Sequence, residues 1–156
     1  MTGISESELR FAPKQEMSRA QLAAILVRLL NETPVTGTEQ LFEDVQADSW
    51  YYGYVMKAQK LGIIQGMSAT NFSPDQSITR EQMATMIARA LQLEGSVVVN
   101  RFMDEEDMNQ DLVPNIYAVQ QHGLMEGYDG GFHPTEAVNR EMAAVIAVRM
   151  QAMVSK

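Results

Sequence analysis

The chain has 156 residues, of which 46% are hydrophobic, enough for one domain with a substantial hydrophobic core. Its net charge of −8 and scattered Lys and Arg argue against nucleic-acid binding, and no apolar run is long enough for membrane insertion. The absence of cysteine excludes disulfides, thiolate catalysis and cysteine-based zinc sites.

The first predicted helix runs from about Arg19 to Leu30. Residues 1–10 before it are polar and lack the basic and apolar regions of a secretion signal, so a secreted parent protein would carry its signal elsewhere. Ser18 is the expected N-cap of this helix, and Gln21 completes a capping box. A linker follows as far as Thr38.

The second unit is the most complete. Asp48 or Ser49 is expected to cap a helix that reaches Leu61, and Gly62 to take the left-handed position that ends it. A short extended piece over 63–66 and a loop then lead to Thr79, which caps the next helix.

The third unit follows a linker over 92–100, in which Val97-Val98-Val99 is either a strand edge or a buried connection. Its first helix is predicted from about Val113 to His122, with Pro114 in the tolerated first turn. Asn139 is the expected N-cap of its last helix, which reaches Met150.

Three stretches of the chain repeat one another: Phe11–Arg28, Phe72–Arg89 and Phe132–Arg149. In each, a proline follows the phenylalanine by two residues, an arginine follows it by eight, and a second arginine comes nine residues later. The first arginines are Arg19, Arg80 and Arg140, which lie 61 and 60 residues apart. A period of this length indicates a supersecondary unit that packs against its own copies.

Each of these first arginines falls at the first position of a predicted helix, where the helix dipole disfavours a cation. The placement is explained if the guanidinium and the N–H groups of the helix N-terminus together bind an anion. The alternative is that each arginine pairs with a carboxylate of a neighbouring repeat and stabilises the packing. The residues alone leave both readings open.

Other candidate sites are weaker. Trp50, Tyr51 and Tyr52 could stack on a sugar ring or belong to the core. The stretch 107–111 begins like an EF-hand loop, but Leu112 and Ala118 replace the required Gly and Glu, which favours a solvated acidic turn. No nucleophile and base, and no histidine at ligand spacing, come together, so we expect no enzyme activity, metal or cofactor.

Several motifs of the second unit together resemble the S-layer homology (SLH) domain. They are Phe42-x-Asp44-Val45, Trp50-Tyr51-Tyr52, Leu61-Gly62-Ile63-Ile64-x-Gly66, Phe72-x-Pro74 and Ile78-Thr79-Arg80-Glu81. The likeness is specific over 42–91 and looser over 102–150, and over 10–31 it covers only the last part of a repeat. The chain is therefore predicted to be a single SLH module over 1–156.

This resemblance implies a mainly all-α, pseudo-threefold fold, with a central three-helix bundle and peripheral helices and loops. It also implies inter-repeat grooves that bind secondary cell-wall polysaccharide, often bearing pyruvate. The family's Thr-Arg-Ala-Glu motif falls on residues 18–21, 79–82 and 139–142, so that Arg19, Arg80 and Arg140 would receive the ligand's carboxylate. The candidate ligand-binding residues are Ser18, Arg19, Trp50, Tyr51, Thr79, Arg80, Glu81, Asn139 and Arg140.

The expected function is a noncatalytic, extracellular cell-wall anchor. Because the first repeat lacks its opening half, we expect three central but two peripheral helices, with two nearly complete grooves and one open or filled by another copy. On this reading Arg80→Ala severely weakens binding and leaves the fold intact. The alternative is a protein–protein assembly module of a surface layer, with self-association through the same grooves. A cell-wall hydrolase fragment is a third reading.

Overall fold

A computed structural model of the chain describes residues 14–65, 68 and 70–155. The fold is all-α, as predicted. The described residues form α1 (Arg19–Leu29), α2 (Tyr52–Lys60), α3 (Arg80–Ala90), α4 (Val113–Gln121) and α5 (Arg140–Val154). Two short 3-10 helices, Glu105–Asp107 and Gln110–Leu112, precede α4, and β structure in these ranges is confined to isolated bridges.

The three helices that follow the repeated arginine motif begin where capping predicts. Ser18 and Thr79 accept from the backbone N–H groups of Gln21 and Gln82, whose side chains accept from the cap residues' own N–H groups. Asn139 caps α5 without this reciprocal bond, since the third residue of that helix is Met142. The N-caps and both capping boxes are therefore confirmed.

A ring of backbone hydrogen bonds joins the three units just before these helices. Met17 donates to Val138 at 2.9 Å, Val138 donates to Ile78 at 2.9 Å, and Ile78 donates to Met17 at 2.8 Å. All three side chains are buried. The cyclic pattern gives the molecule its pseudo-threefold axis, because each unit uses the same residue as donor to one neighbour and acceptor from the other.

The other two helices are peripheral, and each packs on a central helix of the preceding unit. α2 packs against α1, and α4 packs against α3. Gly62 and Gly123 end them with φ of 76° and 72°, which confirms the left-handed position predicted for Gly62. The described residues thus contain three central and two peripheral helices, so α5 is the central helix on which no described peripheral helix packs.

Two local expectations are wrong, and two others lie outside the described residues. α2 begins at Tyr52, with no side-chain cap, rather than after Asp48 or Ser49, because the preceding residues form turns. Val97 and Val99 are each 86% exposed and form neither a strand nor a buried connection. The first copy of the Phe-x-Pro motif, residues 11–13, and the end of the extended piece at Gly66 fall outside the described ranges.

Candidate functional site

Arg19 and Arg80, the first two of the repeated arginines, are buried and bind the backbone of the next unit. Arg19 and Arg80 are each 5% exposed. Arg19 donates from Nε to the Phe72 carbonyl at 2.9 Å, and Arg80 donates from Nε to the Phe132 carbonyl at 2.8 Å. Each guanidinium also lies over the ring of the same phenylalanine, at 4.7 Å for Arg19 and 4.8 Å for Arg80. These arginines therefore stabilise the packing between units, through carbonyls and rings rather than through the carboxylate partners considered above.

Burial lowers the pKa of both guanidinium groups below the ordinary value. The negative charge of Asp44 opposes this lowering for Arg19. For Arg80 the charges of Glu136 and Asp104 oppose it, and Glu136 has the larger effect. Acidic groups of the next unit thus compensate part of the cost of placing a cation in the interior.

The aspartates of the Phe-x-Asp motif hold the turn against which each arginine packs. Asp44 accepts from the N–H groups of Phe72 and Ser73 at 2.9 and 2.7 Å. Asp104 makes the same two bonds to Phe132 and His133, at 2.9 and 2.8 Å. Ser73 and His133 both have positive φ, at 60° and 58°. The two carboxylates thus stabilise a strained turn and orient the carbonyl that receives the arginine.

The helix N-termini do not supply the free N–H groups that the anion hypothesis requires. In α1 the N–H groups of Arg19 and Ala20 donate to carbonyls of residues 76 and 74, at 2.9 and 3.0 Å. In α3 those of Arg80 and Glu81 donate to carbonyls of residues 136 and 134 in the same way. The next N–H of each helix is bound by the cap side chain. This half of the predicted anion site is wrong for α1 and α3, because the neighbouring unit already occupies the donors.

A groove of about 400 Å³, here called the α3 groove, brings together two of the predicted site residues. Its lining includes Arg19, Glu81, Thr85, Arg89, Asn109 and Asp111. Glu81 accepts from the Asn109 backbone N–H at 2.9 Å, which holds the 3-10 segment of the third unit against α3 as one wall of the groove. Two guanidinium groups and two carboxylates thus share one open cleft.

A second groove of about 290 Å³, the α5 groove, lies at the corresponding position one unit further on. Its lining includes Arg80, Met125, Glu141, Met142, Val145 and Arg149. It is more apolar than the α3 groove. Among the described residues it has no counterpart of the 3-10 wall.

The remaining candidates lie apart from these two grooves. Trp50 is 59% exposed and meets the ring of Tyr51 edge-on at 5.5 Å, while Tyr51 itself packs partly against the core. Ser18, Thr79 and Asn139 are half-buried caps. Arg140 is 4% exposed, and the phenylalanine that would match Phe72 and Phe132 for it is residue 11, outside the described ranges. The structure therefore brings Arg19 and Glu81 into one cleft and leaves the other candidates elsewhere.

The second arginine of each repeat is visible in the sequence, but its spacing alone indicates no role for it. Arg28 donates to the Tyr54 hydroxyl at 3.1 and 3.3 Å and lies over that ring. Arg89 lines the α3 groove and makes no hydrogen bond or ion pair with another described residue. The sequence feature that distinguishes Arg89 from Arg28 is Asn115, which occupies in α4 the position that Tyr54 occupies in α2.

The part of the chain that the structure describes offers neither a metal site nor a membrane span. No group of three His, Cys, Asp or Glu residues there is placed to hold a metal ion. No helix in those ranges combines the length and apolar character needed to span a bilayer.

Comparison with known proteins gives a consistent family. The sequence model described as the S-layer homology domain matches residues 41–84 and 110–144, about half of the chain. The Surface-layer 125 kDa protein of Lysinibacillus sphaericus is 29% identical over 89% of this chain and 12% of its own length. An endoglucanase of Bacillus sp. (strain KSM-635) is 37% identical over 69% of this chain and 11% of its own. S-layer protein EA1 of Bacillus anthracis is 28% identical over 86% of this chain and 16% of its own length. The chain thus spans a small part of each of these relatives.

Proposed function

Because this chain belongs to the S-layer homology domain family, we propose that it is a noncatalytic module that attaches a protein to the cell wall at the outer surface of the cell. The units over 10–31, 42–91 and 102–150 act as one module. The relatives named above include two surface-layer proteins and an endoglucanase, each much longer than this chain. An attachment role accounts for one shared segment in proteins whose names differ so widely, since attachment is independent of the rest of each protein.

The ligand that we propose is a polysaccharide carrying carboxylate groups, such as pyruvate ketals. The observation that carries this proposal is the α3 groove, an open cleft of about 400 Å³ in which Arg19 and Arg89 lie among groups that hydrogen-bond sugars. Guanidinium groups bind carboxylates with directed, charge-assisted hydrogen bonds. Carboxylates such as Glu81 and Asp111 are suitable acceptors for sugar hydroxyls.

The guanidinium groups act here without the helix N-terminus. The first N–H groups of α1 and α3 are already bound by the protein, so the ligand's carboxylate depends on arginine side chains alone. Trp50, with Tyr51 behind it, offers a separate aromatic surface for stacking on a sugar ring. The net charge of −8 opposes long-range attraction of an acidic polymer, so affinity must come from these local contacts.

The proposal is tested by co-sedimentation with purified cell walls. The chain should sediment with walls that retain their polysaccharide, and much less with walls from which that polysaccharide has been extracted. Walls whose ketal pyruvate alone has been removed test the carboxylate requirement. Equal sedimentation with extracted walls would contradict polysaccharide binding.

A second candidate function is protein–protein assembly, which the outer surface of α5 favours. Val145 and Val148 on this helix are exposed, and an apolar cleft of about 540 Å³ between α1 and α5 is lined by Ile25, Leu29 and Ala147. Light scattering after size-exclusion chromatography distinguishes the two functions. An oligomer that forms without glycan and is disrupted by Val148→Glu would support assembly, whereas a monomer that binds walls would support attachment.

A further inference from the structure

The α3 and α5 grooves correspond residue by residue, which allows their chemistry to be compared directly. Both lie beside the start of one central helix and run along the next. The corresponding pairs are Arg19 with Arg80, Glu81 with Glu141, Gln82 with Met142, Thr85 with Val145, and Arg89 with Arg149. Differences within these pairs therefore show which groove is equipped to bind a charged ligand.

The arginines at the helix starts differ in how many donors the protein uses. Arg80 donates from Nε to Phe132 and also from Nη2 to the Glu126 carbonyl at 2.6 Å. Among the described residues, the Arg19 side chain makes one hydrogen bond, from Nε to Phe72. The Nη groups of Arg19 thus have no acceptor in this part of the chain, and Arg19 lines the α3 groove.

The second arginine of each repeat differs more strongly between units in its hydrogen-bond partners. Arg149 donates to the Leu124 carbonyl at 3.3 Å and lies 3.9 Å from the Glu126 carboxylate. Arg28, the counterpart in the first unit, is bound to Tyr54. Arg89 has no such partner among the described residues, since Asn115 replaces the tyrosine. Within the part of the chain that the structure describes, the half-buried Arg89 guanidinium beside the cleft therefore has unused hydrogen-bonding capacity.

The other residues of the two grooves also make the α3 groove the more polar one. The α3 groove has Gln82 and Thr85 where the α5 groove has Met142 and Val145. Glu81 holds the 3-10 wall in place, whereas Glu141 pairs with Lys14 at 2.8 Å. The α3 groove thus has a polar lining and the 3-10 wall, whereas the α5 groove is more apolar and has no such wall among the described residues.

We propose that, of these two grooves, the α3 groove is the subsite for an acidic sugar, and that Arg89 binds its carboxylate together with the Nη groups of Arg19. The α5 groove takes no acidic sugar. This inference rests on the proposed attachment function and deepens it, because it assigns the charged ligand to one cleft and adds a binding residue outside the repeated Thr-Arg-Ala-Glu motif.

The test uses short acidic oligosaccharides released from purified cell walls, which exclude multivalent effects, and the matched variants Arg89→Gln and Arg149→Gln. Calorimetric titration should show that Arg89→Gln weakens binding at least about tenfold, and that Arg149→Gln stays within about twofold of the parent chain. Arg89→Lys, which retains the charge but not the two-pronged donor, should fall between them. Circular dichroism verifies that each variant is folded.

A second measurement locates the ligand directly. In ¹⁵N-labelled protein, the oligosaccharide should shift the amide signals of Thr85, Asn109 and Asp111, and leave those of Val145 and Arg149 unchanged. Unaltered binding by Arg89→Gln, or shifts confined to α5, would overturn this inference and leave wall attachment standing. Failure of the parent chain to bind either oligosaccharide or intact walls would overturn both.

Discussion

Replacing Arg80 with alanine should destabilise the whole fold. The side chain donates to two carbonyls, of Phe132 and Glu126, and lies over the Phe132 ring. Hydrogen bonds from a charged donor contribute about 1.5–3 kcal/mol each, and a desolvated cation–ring contact about 2 kcal/mol. The substitution also removes the free-energy cost of burying the cation, which offsets part of this loss, because burial disfavours the charged form and lowers the pKa of Arg80. We expect a net loss of about 3–5 kcal/mol from a total of about 5–15 kcal/mol for a typical domain.

Urea unfolding followed by far-UV circular dichroism measures this loss. Trp50 is too exposed for its fluorescence to report reliably on unfolding. Arg89→Ala is the matched control on the same helix, and should change the free energy of unfolding by less than about 0.5 kcal/mol. An Arg80→Ala protein as stable as this control would refute the reasoning. The expected loss also means that Arg80→Ala cannot separate binding from folding, contrary to the expectation drawn from sequence.

Four further substitutions test other parts of the structure. Burial raises the pKa of Asp104, but hydrogen bonds from backbone N–H groups, chiefly those of Phe132 and His133, together with the charge of His133 lower it more, so that the carboxylate's pKa is below its ordinary 3.8. The ionised carboxylate therefore stabilises the fold fully above its pKa in the unfolded chain, and this stabilisation is lost as the pH falls through its lower pKa in the folded protein. Below about pH 4, the urea midpoint of Asp104→Asn should consequently fall less steeply with pH than that of the parent chain. Ser18→Ala and Thr79→Ala should each cost about 1 kcal/mol in thermal unfolding, and an unchanged melting temperature would contradict the capping assignment. Gly53→Ala would place a Cβ 2.6 Å from the Val35 carbonyl oxygen and should destabilise the protein by about 1–3 kcal/mol, measured in the same way.

The starts of α1, α3 and α5 were predictable because capping is a local interaction. Ser18 with Gln21, and Thr79 with Gln82, carry both halves of a capping box within four residues. The start of α2 was not predictable in this way, since Tyr51 caps that helix with no side-chain bond and the helix is placed by its packing on α1.

The partners of the repeated arginines were not predictable. Arg19 and Phe72 are 53 residues apart, and nothing in the local sequence shows that the acceptor is a backbone carbonyl. The same holds for the helix N-terminal N–H groups, whose acceptors belong to the turn of the next unit. Both were expected to be available to a ligand. The neighbouring unit binds the N–H groups and the Nε of Arg19 instead, and among the described residues the Nη groups of Arg19 are left for a ligand.

The sequence by itself determined the repeated unit, the helical class and the helix starts, because these depend on spacing and on contacts within one turn. Only the tertiary structure decided which arginine side chains are hydrogen-bonded within the described part of the protein and which are not. Arg28 and Arg89 occupy the same place in their repeats, yet one meets Tyr54 and the other faces a helix with Asn115 at that position. Whether a guanidinium has a partner depends on the element packed against it, and that element comes from another unit of the chain.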